Sequence, residues 1–343
     1  MKIALITDTH YGARGDSALF ADHMEKFYSD IFFPYLVENN IKEIIHLGDV
    51  FDRRKYVNFY TLKRAEEMFF KRLEEFDIKA NINVGNHDSY FKTTIEVNSP
   101  DRLLGNRFNI INEPTTIHDS IDIIPWICDD NEDEILDFIK GSNSKYCFGH
   151  FDLAGFFMHS GIKSQYSSRS SHFLNRYEKA FSGHFHTRSN DGHIHYIGSP
   201  YETTWADFND PKGFAIFDTE TGEHEYIDNP INIFEKGVYN NGIEDINSYS
   251  NKIIKLFVKK RDSFPDFDKA VHKLDKVAVD VNIIEEIDDS LLLSDGEIED
   301  FEAVDTLTYL RGWVEGLEKE LHSSKDKKEI KSLLSEIYNE ALT

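Results

Sequence analysis

Five short segments of this chain carry side chains able to hold a divalent metal. They are Asp8-Thr9-His10, Gly48-Asp49-Val50-Phe51-Asp52, Gly85-Asn86-His87-Asp88, Gly149-His150 and Gly183-His184-Phe185-His186. Together they offer carboxylates, imidazoles and one amide oxygen, a mixed set that suits Mn, Fe or Zn in five- or six-coordinate sites and not thiolate-bound structural zinc. The two cysteines, Cys128 and Cys147, lack CxxC spacing and read as reduced packing residues. Singly, each segment has an ordinary structural reading: DxH ends a strand, GNHD is a loop of Asx turns, GHxH is a solvated hairpin. All five in one chain, each behind an apolar run, predict a metal site.

The elements that must position them are legible as apolar runs. KIALITD, EIIHLGD and ANINVGN end in polar residues and are separated by helical stretches at 17–39 and 58–75, a βαβαβ pattern. Further strands are expected at Ile121–Trp126, Tyr146–Gly149, Ala180–Gly183, His193–Gly198 and Gly213–Asp218, joined increasingly by short turns. Strand ends are where α/β sheets display their sites. If DxH and HxH stay extended, alternation turns both ligands to one side and the middle residue away. The glycines before Asp49, Asn86, His150 and His184 are expected to let the backbone turn sharply and approach the ions.

The predicted class is α/β, with a first domain at 1–240 and a small α+β unit at 241–287 built from KIIKLFVKK, a helix near 267–274 and VAVDVNIIEEI. An acidic linker is expected at 288–302 and a helical segment at 303–343. The apolar stripes of that segment, such as Leu307, Leu310, Val314, Leu317 and Leu321, predict either a partner surface or packing on the chain's own domain.

Composition is that of a foldable globular protein, 40% apolar and 29% charged over 343 residues, which excludes wholesale disorder and collagen. Apolar runs fall far short of the ~18 residues of a membrane helix. Asp8 arrives before a signal-peptide core could form, so a cytoplasmic protein without membrane association is expected. Lysine and arginine number 38 against 62 acids, a formal charge of −24, which opposes binding to a polyanion. Much of it is local, since eleven acids and no Lys or Arg lie between Val277 and Leu310. Arg53, Arg54 and Lys55 directly follow a metal motif and are predicted to meet phosphate. Lys259 and Lys260 lie on a predicted strand where lysines would equally blunt a sheet edge. Tyr11 and Phe91 flank the motifs and either pack against a nucleotide or shape the pocket.

With these motifs in order, D-x-H, G-D-x-x-D, G-N-H-D, G-H and G-H-x-H, residues 1–230 resemble the calcineurin-like metallophosphoesterases. GDVFD, Ile124-Pro125-Trp126, GHFDLAGF and YIGSPYETT followed by DPKGF resemble SbcD-type nuclease subunits of double-strand-break repair and recombination, in particular their T-even-like phage branch. The resemblance implies an α/β/β/α sandwich with a small DNA-capping domain and C-terminal helices. It implies a metal-dependent DNA exonuclease and endonuclease in the cytoplasm of bacteria, encoded by the bacterium or by a phage.

One metal ion would take Asp8, His10, Asp49 and His186, and the other Asp49, Asn86, His150 and His184, with Asp49 bridging. The ions implied are two Mn²⁺, with Mg²⁺ as the alternative; such a pair activates water for in-line attack at phosphorus and neutralises charge on the phosphate. His87 would protonate the leaving oxygen, positioned by Asp88 or Asp52. The implied partners are DNA, an SbcC-like coiled-coil ATPase gripped by the C-terminal helices, and a second copy of the chain through helices near 58–75 and 94–104. The other readings are a phosphoprotein or cyclic-nucleotide phosphoesterase of the same fold, against which the extra ~100 residues count, and a non-catalytic scaffold, against which the intact ligand set counts.

Overall fold

The computed structural model describes residues 1–159, 161–164 and 169–284. The chain divides into two units, Met1–Glu297 and Ile298–Thr343, and everything below concerns the first. The expected acidic linker and C-terminal helices lie outside the described residues.

Two six-stranded sheets face one another. The first runs in spatial order His224–Asp228, Gly213–Asp218, Lys2–Ile6, Glu43–His46, Lys79–Asn83 and Asn109–Ile111, parallel from Lys2–Ile6 onward and antiparallel across the Gly213–Asp218 hairpin. The second runs Ser189–Asn190, Ile194–Tyr196, Lys179–Gly183, Tyr146–His150, Ile121–Ile124 and Thr115–Ile117, with a parallel centre and antiparallel edges.

Period-2 alternation explains the layering. Ile3 and Leu5 point with Ile45, Leu47, Phe148, Phe181 and Phe217 into the space between the sheets. Ala4, Ile6 and Ile44 point the other way, into a helix-covered core. On the far sheet Cys147, Ile124 and Ala180 pack outward against Ile135 and Ile139 of the helix Glu132–Gly141. The result is the α/β/β/α sandwich expected, with both cysteines buried and free.

The helices over the first sheet occupy the stretches the sequence pattern marks, with an added feature. Each helical run contains a π-turn, Tyr28–Phe32 and Glu66–Phe70, with α-helix on either side. The wider turn brings consecutive residues onto one face, so Phe32 and Phe33, and likewise Phe69 and Phe70, are all fully buried.

A separate three-stranded parallel sheet, Phe234–Asn240, Ile253–Lys260 and Asp280–Ile284, packs against the helix Phe264–Leu274. It begins at Phe234, ahead of the boundary expected at residue 240. Ile253–Lys260 is its central strand, so the edge-blunting reading of its lysines fails: Lys252 pairs with Glu235 at 3.1 Å, Lys255 sits 4.2 Å over the Trp205 ring, and Lys260 pairs with Asp262 at 3.0 Å. Among the described residues, no helix is long and apolar enough to cross a membrane.

Two buried histidines away from the strand-end motifs set an acid limit on this fold. His23 has an unpartnered Nε2, and His195, stacked on Phe181 and 4.6 Å from the His224 ring, has neither nitrogen partnered. Burial first, then Lys26 for His23 and His224, Lys179 and His193 for His195, bring both down to about 4, with Asp191 opposing at His195. The folded values lie below the ordinary 6.5, so folding favours the neutral rings. Their contribution is complete above about pH 6.5 and is lost as pH falls toward about 4. Thermal melts between pH 7.5 and 4.5 should show the midpoint falling over that window, with a shallower fall in the double variant His23→Gln/His195→Gln; identical slopes would exclude this origin.

Candidate metal centre

Every one of the five segments lies at the C-terminal edge of a parallel strand. Past the strand ends the first two loops continue as a ladder: the backbone N–H groups of Asp8, His10 and Tyr11 donate to the carbonyls of Gly48, Asp49 and Val50 at 3.0, 3.1 and 2.9 Å. The ligand tripeptides are not extended. Asp8, His10, Asp49 and His184 have φ of 50°, 42°, 58° and 89°, left-handed conformations that non-glycine residues adopt at a cost and that cluster at functional sites. Turns, and not strand alternation, therefore aim these side chains.

The glycines are needed for two different reasons. Gly48 has φ 114°, the turning role expected. Gly85 has an ordinary φ, but a Cβ there would lie 2.2 Å from Asp49 Oδ1, so the need is close approach between loops.

The side chains converge in two groups around Asp49. On one side His10 Nε2 and His186 Nε2 lie 3.1 Å apart, each 3.8 Å from Asp8 Oδ1, with His10 Nε2 3.9 Å from Asp49 Oδ2. On the other, Asn86 Oδ1 lies 3.0 Å from His150 Nε2 and 2.9 Å from His184 Nδ1, and His150 Nε2 is 3.3 Å from Asp49 Oδ2. Both sheets contribute, and Asp8 joins them by accepting the His184 backbone N–H at 3.0 Å. The structure thus brings together the seven residues Asp8, His10, Asp49, Asn86, His150, His184 and His186.

On His150 a hydrogen bond from the outer nitrogen fixes the tautomer. His150 Nδ1 donates to the Leu47 carbonyl at 3.0 Å, so its lone pair is on Nε2. His46, which the sequence reading passed over, accepts the Gly48 N–H on Nδ1 at 3.2 Å and so donates from Nε2 to Thr9 Oγ1 at 3.0 Å. Burial holds it neutral, down to about 3. Trp126 flanks the His184 ring at 5.4 Å and His150 at 5.9 Å.

Electrostatics test the fit of a cation. Burial alone would raise the Asp8 and Asp49 carboxyls, but His10 for Asp8 and His150 for Asp49 hold both well below the usual carboxylate range. Burial would lower His10 and His150, yet the nearby Asp8 and Asp49 carboxylates carry His10 up to about 9, and Asp49 does the same for His150. The acids therefore draw positive charge into the pocket, which a divalent cation supplies in place of protons. His184 and His186, lowered to about 4 by burial and by His150 and His10 respectively, keep their lone pairs. The donor set fits divalent ions.

Beside this core stand the residues assigned catalysis. His87 donates its backbone N–H to Asp49 Oδ1 at 2.7 Å, its Nδ1 lies 2.7 Å from the Asp52 carbonyl oxygen, and its ring meets His10 edge-on at 4.9 Å. The Asp52 carboxylate lies 3.7 Å from His10 Nδ1. Asp88 does not orient His87. It is fully buried and accepts the backbone N–H groups of Gly85, Asp49 and Val50 at 2.8, 2.8 and 2.9 Å, clamping two metal loops together. Burial and Asp49 raise it to about 7 against the pull of those donors. A buried acid three residues beyond a strand-end glycine gives no sequence signal to tell clamp from orienter.

Of the basic residues, Arg53 pairs with Asp16 at 3.1 Å and lies over the Tyr56 ring, while Lys55 is exposed next to it. Tyr11 is a core residue, donating to Tyr28 Oη at 2.8 Å among Phe51, Phe69 and Phe70 and so removed from any nucleotide; Phe91 is half exposed.

The Asp88 clamp has a measurable weight. In Asp88→Asn an NH₂ replaces one acceptor and faces backbone donors, which should lower unfolding free energy by ~2–4 kcal/mol. Urea unfolding in the presence of a chelator measures this without the metal contribution, and an unchanged midpoint would remove the clamp role.

The chain is 33% identical over 317 residues to exonuclease subunit 1 of Enterobacteria phage T4, covering 90% of this chain and 91% of that one. It is 29% identical over 209 residues to the DNA double-strand break repair protein Mre11 of Sulfurisphaera tokodaii, covering 54% and 49% respectively. A solved archaeal phosphodiesterase overlaps 67% of this chain and 100% of its own at 17% identity and a TM-score of 0.33, and adds nothing to the assignment. The calcineurin-like phosphoesterase model matches residues 1–217, which include all five loops and the whole second sheet, and the chain therefore belongs to the calcineurin-like phosphoesterases.

Proposed function

We propose that this phosphoesterase is a DNA nuclease subunit that hydrolyses phosphodiester bonds with two divalent ions, Mn²⁺ with Mg²⁺ as the alternative. The observation that carries the reading is the position of Asp49 Oδ2, 3.9 Å from His10 Nε2 and 3.3 Å from His150 Nε2, between two separate groups of donors. Asp8, His10, Asp49 and His186 would hold one ion, and Asp49, Asn86, His150 and His184 the other. When bound, the ions supply Lewis-acid stabilisation of charge on the phosphate and lower the pKa of water.

The chain's own residues do the rest. His87, with Nδ1 on the Asp52 carbonyl, keeps its ring orientation and offers Nε2 for proton transfer to the leaving oxygen. Asp52, touching both His10 and His87, positions the two rings relative to one another. Arg53, Arg54 and Lys55, four residues on from Asp49 and beyond, are suited to the DNA backbone, with Lys259 and Lys260 of the small sheet as a second contact. DNA as substrate is supported by the named activities of the phage T4 and Sulfurisphaera relatives. A chain at −24 gains from a partner that grips DNA for it, which favours an SbcC-like ATPase docked on the C-terminal segment. A homodimer through the helices at 58–75 and 94–104 belongs to the same reading.

Crystals soaked in Mn²⁺ should show two anomalous peaks sharing Asp49; a single peak, or ions held outside the five loops, would defeat the two-ion centre. On labelled linear DNA, His87→Ala should keep both ions and lose cleavage by ~10²- to 10⁴-fold. Wild-type rates in that variant would remove His87 from the chemistry. Activity confined to phosphoprotein or cyclic nucleotides would favour the other phosphoesterase reading.

A further inference from the structure

The DPKG segment has a function that the metal loops do not explain. Lys212 is 3% exposed, an expensive place for an ammonium unless every N–H is matched. An ammonium has three N–H groups, and three acceptors surround this one: Asp207 Oδ1 at 2.7 Å, Asp210 Oδ2 at 2.8 Å and the backbone carbonyl of His186 at 2.9 Å. The first two supply more negative charge than the single ammonium cancels. The third is the main chain of a donor in the metal centre.

The rest of the loop is fastened around the same point. Asp207 Oδ2 accepts the backbone N–H groups of Thr203 and Thr204, both at 2.9 Å, and Asp210 Oδ2 accepts the Thr187 hydroxyl at 3.1 Å. Ser199 N–H donates to the same His186 carbonyl at 3.0 Å. The backbone at 186–187 is therefore tied from outside by two N–H donors on its carbonyl and one acceptor on the neighbouring hydroxyl. His184, two residues earlier, is fixed differently, by its N–H on Asp8 and by Trp126 against its ring.

We propose that Lys212 is a positioning residue for His186: the buried Asp207–Lys212–Asp210 triad sets the His186 backbone and hence the distance between its Nε2 and that of His10. A purely structural triad could be replaced by apolar side chains of similar volume, often without loss of stability. A triad that aims a ligand cannot, because the direction of the third N–H is what matters. The inference rests on the two-ion reading, and it makes the triad's influence one-sided, reaching the ion of Asp8, His10 and His186 and sparing that of Asn86, His150 and His184.

The test is Mn²⁺ binding to the full chain by calorimetry and EPR, with melting temperature recorded for each variant. Lys212→Met/Asp207→Asn/Asp210→Asn removes the charges together, and Lys212→Arg keeps the charge while a planar fork misplaces the donors. Each should weaken one of two Mn²⁺ sites ~10- to 100-fold and leave the other within about twofold, the range for groups that orient metal ligands. In a His186→Ala background the same changes should add nothing. Should the triple variant not fold, Lys212→Arg decides alone. Two wild-type affinities in a folded variant, or equal weakening of both sites, would overturn the positioning role. Fewer than two Mn²⁺ bound by the wild type would instead overturn the two-ion reading beneath it.

Discussion

Asp8 and Asp49 are carboxylates with essentially no solvent exposure, placed against one another where water cannot hydrate them. Two like charges persist there only if N–H groups and cationic charge meet them, and that requirement organises the molecule around it. The His184 and His87 backbone N–H groups turn inward to serve Asp8 and Asp49, and His10 and His150 are drawn toward the protonated state by the same field. Reaching this arrangement forces left-handed backbone at four ligand positions, a strain that the interlocked loops and the Asp88 clamp hold in place. The strands, helices and aromatic cores are the rigid frame on which such a loop cluster can be kept.

Much of this was legible in the residues alone, because metal ligands are few in type and their order along the chain follows the order of strands. The five motif segments and the βαβαβ start come from that, whereas the choice of seven donors among them and the α/β/β/α layering are what the resemblance to the metallophosphoesterases implies. What stayed hidden has a physical reason in each case. Sequence alternation speaks of extended backbone, and Asp8, His10 and His184 are not extended. A carboxylate next to a histidine reads as its partner, yet Asp88 serves main-chain donors that leave no mark in the sequence. Gly85 is required by a side chain 36 positions away, which pairing by proximity in the chain cannot show. His46 sits within a strand and reads as core. Whether a lysine-bearing strand is central or at an edge depends on a partner strand, Phe234–Asn240, that falls before the composition change.

The small sheet is attached to the sandwich by a buried acid. Glu202, in the SPYETT segment, accepts the backbone N–H groups of both Ile233 and Phe234 at 2.8 and 3.0 Å, where the chain leaves the sandwich. Burial raises this carboxyl to about 7, and the two donors oppose that rise. Lys255 and Trp205 reinforce the junction from the strand itself. The same loop that fastens His186 thus also carries the root of the small sheet, so a load on that sheet acts on a segment one residue from the Thr203 and Thr204 contacts of Asp207.

Ligand contributions from two separate sheets have a thermodynamic corollary. Asp8, Asp49 and Asn86 come from the first sheet, and His150, His184 and His186 from the second. In an unfolded chain these donors lie as many as 178 positions apart and cannot share an ion. A cation that meets them all selects the folded form alone, and by mass action it adds RT ln(1 + [L]/Kd) to the free energy of unfolding. The catalytic cofactor of such a centre is then also a fastener between the two halves of the sandwich, and the protein's lifetime in a cell becomes a function of the free metal concentration around it.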